Sequence, residues 1–306
     1  MIKNCLFVDC PLCGVNDYRL RYSSTVTPPA EANPGNDSYM IRDLSEHGDI
    51  VQCRQCGMIY NNPQPEPAAL LSLYTKIADP GYLKERQSRK LTFKGSLVQL
   101  HKFSKPPGKL LDIGCFTGMF MYVAAKEGWD VAGLELSSWA ANIARNASLG
   151  PIYEQPLEQL QLPQNHFDVI TLWDVIEHLT NPADTLAAAY RLLKPGGIIA
   201  FSTHMIDSLP GRIWGKHYPF FMAFHLVHFS RTTITRMLHE QGYRLLSIKP
   251  HHRMVRTGYL LENWSGKMKN PLCRSFIKQL STWNRLADVF IKTKFLGLVN
   301  IYARKQ

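Results

Sequence analysis

The sequence lacks any long hydrophobic run. Although 45% of its 306 residues are hydrophobic, no stretch approaches the roughly 18 continuous apolar residues that a membrane-spanning helix needs. The apolar run near the N-terminus covers only Leu6 to Val8, which is too short for the core of a signal peptide. We therefore expect a globular cytoplasmic protein with reduced cysteines, long enough for one large core and a small satellite domain.

Acidic residues are scarce in the last third of the chain. Residues 201–306 hold 17 Lys and Arg but only four Asp and Glu, whereas residues 1–200 hold 18 and 20. Seven of the eleven histidines also lie in the last third. This bias indicates either a solvated basic surface or attraction to an anionic partner, such as a phosphorylated or nucleotide-linked substrate, RNA or an acidic membrane surface.

Cysteine is uncommon, but four of the seven cysteines form two matching motifs, CPLCG and CRQCG. In each motif two thiolates separated by two residues can bind one ion, and the following glycine permits a left-handed turn. A redox dithiol would need only one such motif. The two motifs predict a closed, structural Zn²⁺ site of the zinc-ribbon type, with the ligands Cys10, Cys13, Cys53 and Cys56.

The zinc motifs are 39 residues apart, which is a wide gap for a zinc ribbon. The intervening residues include a polar, proline-rich stretch, and they predict a long hairpin insert within a ribbon domain of residues 1–65. Cys5, Cys115 and Cys273 need no special role.

The central part of the chain alternates strands and helices. We predict strands at 109–113, 130–135, 151–154, 167–172 and 197–202, and helices at 118–127, 138–147 and 182–193. Such alternation is typical of an α/β protein with a doubly wound parallel sheet covered on both faces. Ligands bind such sheets where the first strand meets the first helix.

The turn between the first strand and the first helix lacks a glycine that a dinucleotide-binding motif would have there. The segment LLDIGCFTGMF aligns Gly114, Phe116 and Met119 with the three glycines of a dinucleotide-binding turn, so two of the three positions fail. This disfavours a dinucleotide, whose pyrophosphate needs close backbone approach. With a side chain at Phe116, we expect an ordinary backbone conformation there, with the ring pointing away from the ligand or closing over it.

S-adenosylmethionine (SAM) has no phosphate and suits this turn better. It needs a turn near its amino-acid moiety, an acid for the ribose hydroxyls and an apolar slot for adenine. Gly114 and Gly118 supply the turn, and Glu135 ends the second strand 21 residues after Gly114. Glu135 could bind the ribose or act as a helix-start acid, and the two roles are compatible.

The order of these motifs resembles class I SAM-dependent methyltransferases that carry an N-terminal zinc ribbon. The resemblance extends through LLDIGCFTGMF, GWDVAGLELS, FDVITLWDVIEHLTNP, LLKPGG and the segment from Gly211 to Tyr243. It implies a Rossmann-like seven-stranded doubly wound sheet over residues 66–306, with an antiparallel last strand at Gly297 to Lys305.

The resemblance also implies cofactor-binding positions. Asp112, Gly114 and Gly118 would hold the methionine end of SAM, with Phe116 in the same turn. Glu135 would bind the ribose. The remaining positions would face the adenine or the methyl group: Leu136, Leu157, Glu158, Trp173 and Asp174.

Histidines are the candidates for proton transfer, since an imidazole can take a proton near neutral pH. His178 follows the fourth strand beside Glu177, and a similar Glu-His pair lies near the substrate in ubiquinone-biosynthesis O-methyltransferases. A cap or backbone hydrogen bond would explain His178 equally well. His225 and His228 lie in an aromatic-rich segment, within residues 204–241, where the resemblance implies a substrate wall.

The C-terminal part predicts an amphipathic basic helix from Asn263 to Lys294. Such a helix packs on its own domain, or it lies on an anionic membrane or covers an apolar substrate as a lid over residues 262–296. Peripheral membrane contact would then involve residues 271–294.

Taken together, the sequence predicts a SAM-dependent methyltransferase acting on an O or C atom of a small or carrier-linked, anionic or lipid-linked molecule, such as a sugar or quinone-like ring. The sequence lacks the Asn/Asp-Pro-Pro-aromatic motif that presents base amines, which disfavours base methylation. An RNA methyltransferase using the basic third and a non-catalytic SAM-fold module remain alternatives.

Overall fold

The computed structural model describes residues 5–25, 47–147, 150–267, 275 and 289–306. The N-terminal strands are β1 (Cys5–Leu6), β2 (Tyr18–Tyr22), β3 (Ile50–Cys53), β4 (Ile59–Asn61) and β5 (Gln64–Pro65). Strands β2, β3 and β4 pair antiparallel in sequence order, and β1 pairs antiparallel with β5. The predicted hairpin insert falls mainly on residues 26–46, which lie outside the described residues.

Three helices follow the N-terminal strands. They are α1 (Pro67–Thr75), α2 (Pro80–Lys84) and α3 (Arg86–Leu100). Prolines begin the first two because the first helical position has no use for a backbone N–H. The Asp79 side chain caps α2 by accepting from the backbone N–H of Tyr82.

The remaining elements build a seven-stranded sheet with helices on its faces, and they include one short strand, Val227–His228, that belongs to another sheet. In chain order they are β6 (Gly108–Ile113), α4 (Met119–Lys126), β7 (Trp129–Leu134), α5 (Ser138–Asn146), β8 (Ile152–Tyr153), β9 (Phe167–Leu172), α6 (Pro182–Leu192), β10 (Leu193–His204), α7 (Leu209–Trp214), β11 (Val227–His228), α8 (Arg231–Glu240), β12 (Tyr243–Arg256), α9 (Thr257–Lys267) and β13 (Phe290–Lys305).

The sheet order is β12-β13-β10-β9-β6-β7-β8. Strands β6 to β10 run parallel, while β13 is antiparallel to both β10 and β12. The predicted Rossmann-like seven-stranded sheet with an antiparallel last strand is thus confirmed. Its central strands are apolar on both faces, with Leu110, Leu111, Val169 and Ile170 fully buried, because helices cover both sides.

The predicted helix from Asn263 to Lys294 is wrong at its C-terminal end. Helix α9 starts earlier, at Thr257, and residues 290–294 belong to β13, where Phe290 pairs with Arg256 and Lys294 with His252. Pairing with β12 overrides the helical spacing of the apolar residues. Most of the expected lid and membrane-contact segment, residues 268–274 and 276–288, lies outside the described residues.

The antiparallel sheet of β2, β3 and β4, which we call the ribbon sheet, also contains a strand from a later part of the chain. Strand β11 pairs antiparallel with β4, with Val227 opposite Tyr60 and His228 opposite Ile59. The predicted substrate-wall segment, residues 204–241, therefore joins the ribbon sheet. Within the part of the chain that the structure describes, no helix is long and apolar enough to cross a bilayer.

Candidate functional site

A cavity of about 500 Å³ opens at the carboxyl ends of β6, β7 and β9. Its walls include nine of the ten predicted cofactor-binding residues, namely Asp112, Gly114, Phe116, Glu135, Leu136, Leu157, Glu158, Trp173 and Asp174. The tenth predicted residue, Gly118, is not among the residues that line the cavity. It directly precedes α4 and has a φ of +73°. The site lies where a doubly wound sheet leaves a crevice.

The turn after β6 requires left-handed backbone at three positions. Gly114, Phe116 and Gly118 have φ angles of +69°, +48° and +73°. A Cβ atom at Gly114 would lie 2.5 Å from Cγ2 of Val175, so no larger residue fits there. The expectation of an ordinary conformation at Phe116 is wrong, because the turn needs the conformation of the missing glycine even though the residue carries a ring.

Two sets of contacts stabilise Phe116 in this conformation. Its backbone N–H donates to Oε2 of Glu135 at 2.8 Å. Its ring packs edge-on against Tyr82, with centroids 4.5 Å apart, and against Trp139 at 5.9 Å. Phe116 also lines the cavity.

The Glu135 carboxylate joins the turn to the next helix. It accepts from the backbone N–H groups of Phe116 and Ser137, both at 2.8 Å. Only 9% of the residue is exposed, and burial raises its pKa. The helix-start role is therefore present, and each oxygen keeps acceptor capacity for a ligand hydroxyl.

Asp112 is a second buried carboxyl at the cavity. It accepts a 2.6 Å hydrogen bond from the Thr171 hydroxyl, yet burial raises its pKa to about 7. Such a group can be protonated or ionised near neutral pH, so it can donate to or accept from a ligand. Glu158, farther along the wall, accepts from the Thr185 hydroxyl at 3.2 Å.

Asp174 is held by residues distant in sequence. The Ser202 hydroxyl lies 2.7 Å from both its backbone nitrogen and its Oδ1, and the Arg253 guanidinium pairs with its Oδ2. Although burial alone would raise the pKa of Asp174, the charges of Arg253, His251 and Arg89 and the Ser202 hydrogen bond together outweigh burial and hold that pKa well below its usual range. Sequence reasoning missed Ser202 and Arg253, since neither lies in a motif.

The cavity wall also includes residues from α1 to α3 that sequence reasoning missed. Tyr74, Tyr82 and Arg89 line the cavity, and the Arg89 guanidinium lies 4.2 Å from the ring centroid of Tyr82. The hydroxyl of Tyr74 and Nε1 of Trp173 are buried donors with no partner among the described residues. Unsatisfied donors at a cavity wall are available to a bound molecule.

His178 is the one predicted histidine that lines the cavity. It ends the short 3₁₀ turn Ile176–His178, and its Nδ1 lies 3.0 Å from the carbonyl oxygen of Phe224. A carbonyl only accepts, so Nδ1 carries the proton and Nε2 keeps a lone pair. Burial lowers the pKa of His178, which keeps the ring neutral.

His225 and His228 lie behind this wall and not on it. The His225 ring is 4.7 Å from that of His178, and its Nδ1 donates to the Phe220 carbonyl at 2.8 Å. His228 is fully buried, with Nε2 3.1 Å from Oδ1 of Asn61 and Nδ1 3.0 Å from Nε2 of His204. Both ring nitrogens of His228 are engaged, so the structure does not bring this candidate to the cavity.

Glu177 lies beside the histidines and is 2% exposed. One of its oxygens and one nitrogen each of His178 and His225 lie within 4.8 Å of one another. Burial, and then the charge of Asp174, raise the pKa of Glu177 to about 8. Its Oε2 has no partner among the described residues.

The four cysteines of the two CxxCG motifs come together in the ribbon. Their four sulfur atoms all lie within 4.8 Å of one another, those of Cys10, Cys13, Cys53 and Cys56. Two pairs that cross between the motifs are Cys10 and Cys56, with sulfurs 3.4 Å apart, and Cys13 and Cys53, at 3.6 Å. Gly14 and Gly57, which follow the motifs, have φ angles of +71° and +77°, as the predicted turns require.

Comparison with known proteins agrees with this geometry. The methyltransferase domain model matches residues 58–248, well over half of the chain. A ubiquinone biosynthesis O-methyltransferase from Photobacterium profundum is 35% identical over 101 residues, which are 31% of this chain and 43% of that protein. Another from Acinetobacter baylyi is 29% identical over 175 residues, 55% of this chain and 70% of that protein.

The match therefore spans less than half the length of the Photobacterium relative. Among solved structures, a SAM-dependent methyltransferase from Archaeoglobus fulgidus has a TM-score of 0.50 at 19% identity, covering 74% of this chain and all of that one (100%). This likeness shows the shared fold. Together with the family match, it establishes that the chain belongs to the methyltransferase domain family and has the fold of class I SAM-dependent methyltransferases.

Proposed function

We propose that this methyltransferase transfers the methyl group of SAM to an oxygen, or a carbon, of a small or carrier-linked molecule such as a sugar, a quinone-like ring or a lipid-linked intermediate. The observation that carries this proposal is the neutral His178 at the cavity wall, with Nδ1 held by the Phe224 carbonyl and Nε2 available. The Photobacterium and Acinetobacter relatives are both named as O-methyltransferases, which supports the oxygen acceptor.

The proposed cofactor half of the cavity runs from Asp112 to Glu158. Residues of the turn Asp112 to Gly118 would hold the methionine end, and the Arg89 guanidinium at the wall has the charge to pair with its carboxylate. Glu135 would accept from the ribose hydroxyls with its remaining lone pairs. Leu136 and Leu157 offer an apolar slot to adenine, with Glu158 at its edge.

The proposed acceptor half of the cavity lies beside Trp173, Asp174 and His178. SAM supplies an activated methyl group, so the enzyme's task is to align the acceptor and to remove its proton. Nε2 of His178 can take a hydroxyl proton. Met222 and Phe224 make this wall apolar, which suits a ring or chain that carries the hydroxyl.

A methyl-transfer assay with His178→Gln tests this proposal. The probes are labelled SAM and a panel of a simple catechol, a free sugar and a nucleotide-linked sugar. With the probe that wild type methylates, we expect kcat to fall at least 100-fold, since general-base loss typically removes about 10²–10⁴. The control His217→Gln, at an exposed histidine, should leave kcat unchanged. A wild-type kcat for His178→Gln would contradict the base assignment.

Two alternatives make different predictions for the same protein. For RNA, part of the basic third is already used internally: Arg253 pairs with Asp174 and Arg256 with Glu85. RNA binding with steep salt dependence would favour the RNA alternative. Calorimetry that detects no SAM binding to the zinc-loaded protein would contradict a cofactor site and favour a non-catalytic module.

We further propose that the four ribbon cysteines hold a structural Zn²⁺. Their sulfurs converge from two turns of like conformation, and four thiolates would leave the ion no open position. We expect about one zinc per chain by elemental analysis, as a Cys₄ site implies. Cys10→Ser should reduce zinc content and lower the melting temperature. Cys5→Ser, at an exposed cysteine outside the cluster, is the control. Full zinc retention in Cys10→Ser would contradict the site.

A further inference from the structure

Four histidines, three of them buried and the last, His178, half-buried, lie in a row from the ribbon sheet to the cavity. His228 bonds to the next ring, His204, with nitrogens 3.0 Å apart. The His204 ring stacks on His225, with centroids 4.9 Å apart and planes 14° from parallel. His225 in turn contacts His178 at 4.7 Å. Burial lowers the pKa of each of the four histidines, so the row is neutral near pH 7.

Asn61 in β4 determines where the protons lie at the far end of this row. Its Oδ1 accepts, so Nε2 of His228 carries the proton and Nδ1 accepts from Nε2 of His204. Nδ1 of His204 then keeps a lone pair, and it has no partner among the described residues. At the other end, His225 and His178 each donate from Nδ1 to a backbone carbonyl.

A backbone path runs beside the histidine row. We call the segment Phe224–His228 the strap. On one side it pairs with β4, and the Asn61 N–H donates to the Leu226 carbonyl at 2.9 Å. On the other side the Leu226 N–H donates to the Glu177 carbonyl at 2.8 Å, and the Phe224 carbonyl accepts from His178. The strap thus connects the ribbon sheet to the turn that carries His178.

We propose that Asn61, a residue of the ribbon sheet, is a positioning residue for His178, acting through the histidine row and the strap. By holding the His228 ring, the Asn61 side chain fixes the strap, keeps the Phe224 carbonyl within reach of Nδ1 of His178 and so keeps the lone pair on Nε2. This inference rests on the proposed role of His178 as the base. It gives the ribbon a part in the acceptor site in addition to any role in stability.

Asn61→Leu removes the acceptor while preserving much of the side-chain volume. The adjacent Asn62→Leu is a matched control, because Asn62 is also buried, at 2% exposure against 3% for Asn61, but its side chain bonds to the backbone of Val8 instead of the strap. Asn61→Asp restores an acceptor oxygen and should rescue the wild-type behaviour. Asn61→Ser, a smaller change, serves if the leucine variant does not fold.

The test is NMR of protein labelled with [¹⁵N]histidine and saturated with S-adenosylhomocysteine, in which two-bond couplings identify the protonated ring nitrogen. His178→Gln assigns the His178 signals. In wild type we expect His178 protonated at Nδ1 and His228 at Nε2. In Asn61→Leu, or Asn61→Ser in its place, His178 should populate the Nε2–H tautomer, while Asn62→Leu should match wild type. Methylation of the working probe should show kcat reduced about tenfold with little change in KM, as expected for misplacement of a catalytic group.

Two results would overturn the inference: His178 protonated at Nε2 in wild type, or an unchanged His178 pattern in Asn61→Leu alongside an altered His228. The same change in Asn62→Leu would also count against it, since it would indicate general loosening of the ribbon. Failure of the proposed function is separate: it would show as no binding of S-adenosylhomocysteine, or as full activity of His178→Gln.

Discussion

Substitutions at Phe116 test whether the left-handed backbone at this non-glycine residue lowers the stability of the folded protein. A left-handed backbone costs a non-glycine residue roughly 1–2 kcal/mol. Glycine in place of alanine lowers the stability of the folded protein by roughly 0.4–1 kcal/mol, because glycine gives the unfolded chain more conformational entropy. At a φ of +48° we therefore expect Phe116→Gly to be more stable than Phe116→Ala by about 0.5–1 kcal/mol, or about 2 °C in melting temperature.

Both variants also lose the ring contacts to Tyr82 and Trp139, at 4.5 and 5.9 Å between centroids. Aromatic pairs contribute about 0.5–1.5 kcal/mol each, so Phe116→Ala should be about 2 kcal/mol less stable than wild type. If the ring is a wall of the cofactor site, calorimetry should show SAM binding weakened by a similar factor in both variants.

The assay is urea and thermal unfolding of the two variants and wild type. Lys94, exposed within α3, provides a control of opposite sign. There, alanine should be more stable than glycine by about 1 kcal/mol, as in any helix interior. If alanine were as stable as glycine at position 116, the backbone there would not be left-handed in solution, and the reasoning would be refuted.

Two further predictions concern buried carboxyl groups. Glu135→Ala should weaken SAM binding at least tenfold by calorimetry, because each charge-assisted hydrogen bond to the ribose that is lost contributes about 1.5 kcal/mol. The control Glu154→Gln changes a neighbouring carboxylate that does not line the cavity, and it should bind SAM normally. An unchanged dissociation constant for Glu135→Ala would exclude the ribose contact. Glu177 has a folded pKa raised from 4.5 to about 8, so its contribution to stability is full below pH 4.5 and falls as the pH rises through 8. Glu177→Gln should therefore gain stability relative to wild type as the pH rises from 5 to 8, by on the order of 3 kcal/mol in urea unfolding; parallel pH profiles would contradict the raised pKa.

Much of the candidate site could be predicted from the spacing of residues along the sequence. Gly114, Glu135 and the strand ends around Asp174 all reach one cavity because the carboxyl ends of parallel strands meet at one edge. The cysteine motifs likewise meet through their own turns. These features depend on a few neighbouring residues and on the periodicity of strands and helices, which the sequence displays directly.

Other features depend on contacts between distant segments. Arg253 reaches Asp174 across 79 positions, and the ring of Tyr82 covers Phe116 from a helix that carries no motif. Of three candidate histidines equally plausible in sequence, only His178 reaches the cavity wall. The pairing of β11 with β4 turned His228 toward Asn61 instead.

By itself, the sequence determined the fold class, the glycine turn with its acid one strand away, and the two cysteine motifs, because each is encoded by residue type at short, regular spacing. Only the tertiary structure decided that Phe116 takes a glycine's conformation, which histidine faces the cavity, and that the ribbon sheet shares a strand with the acceptor wall. Those outcomes follow from hydrogen bonds and packing between residues far apart in the chain, and no local pattern records which distant partner a side chain will meet.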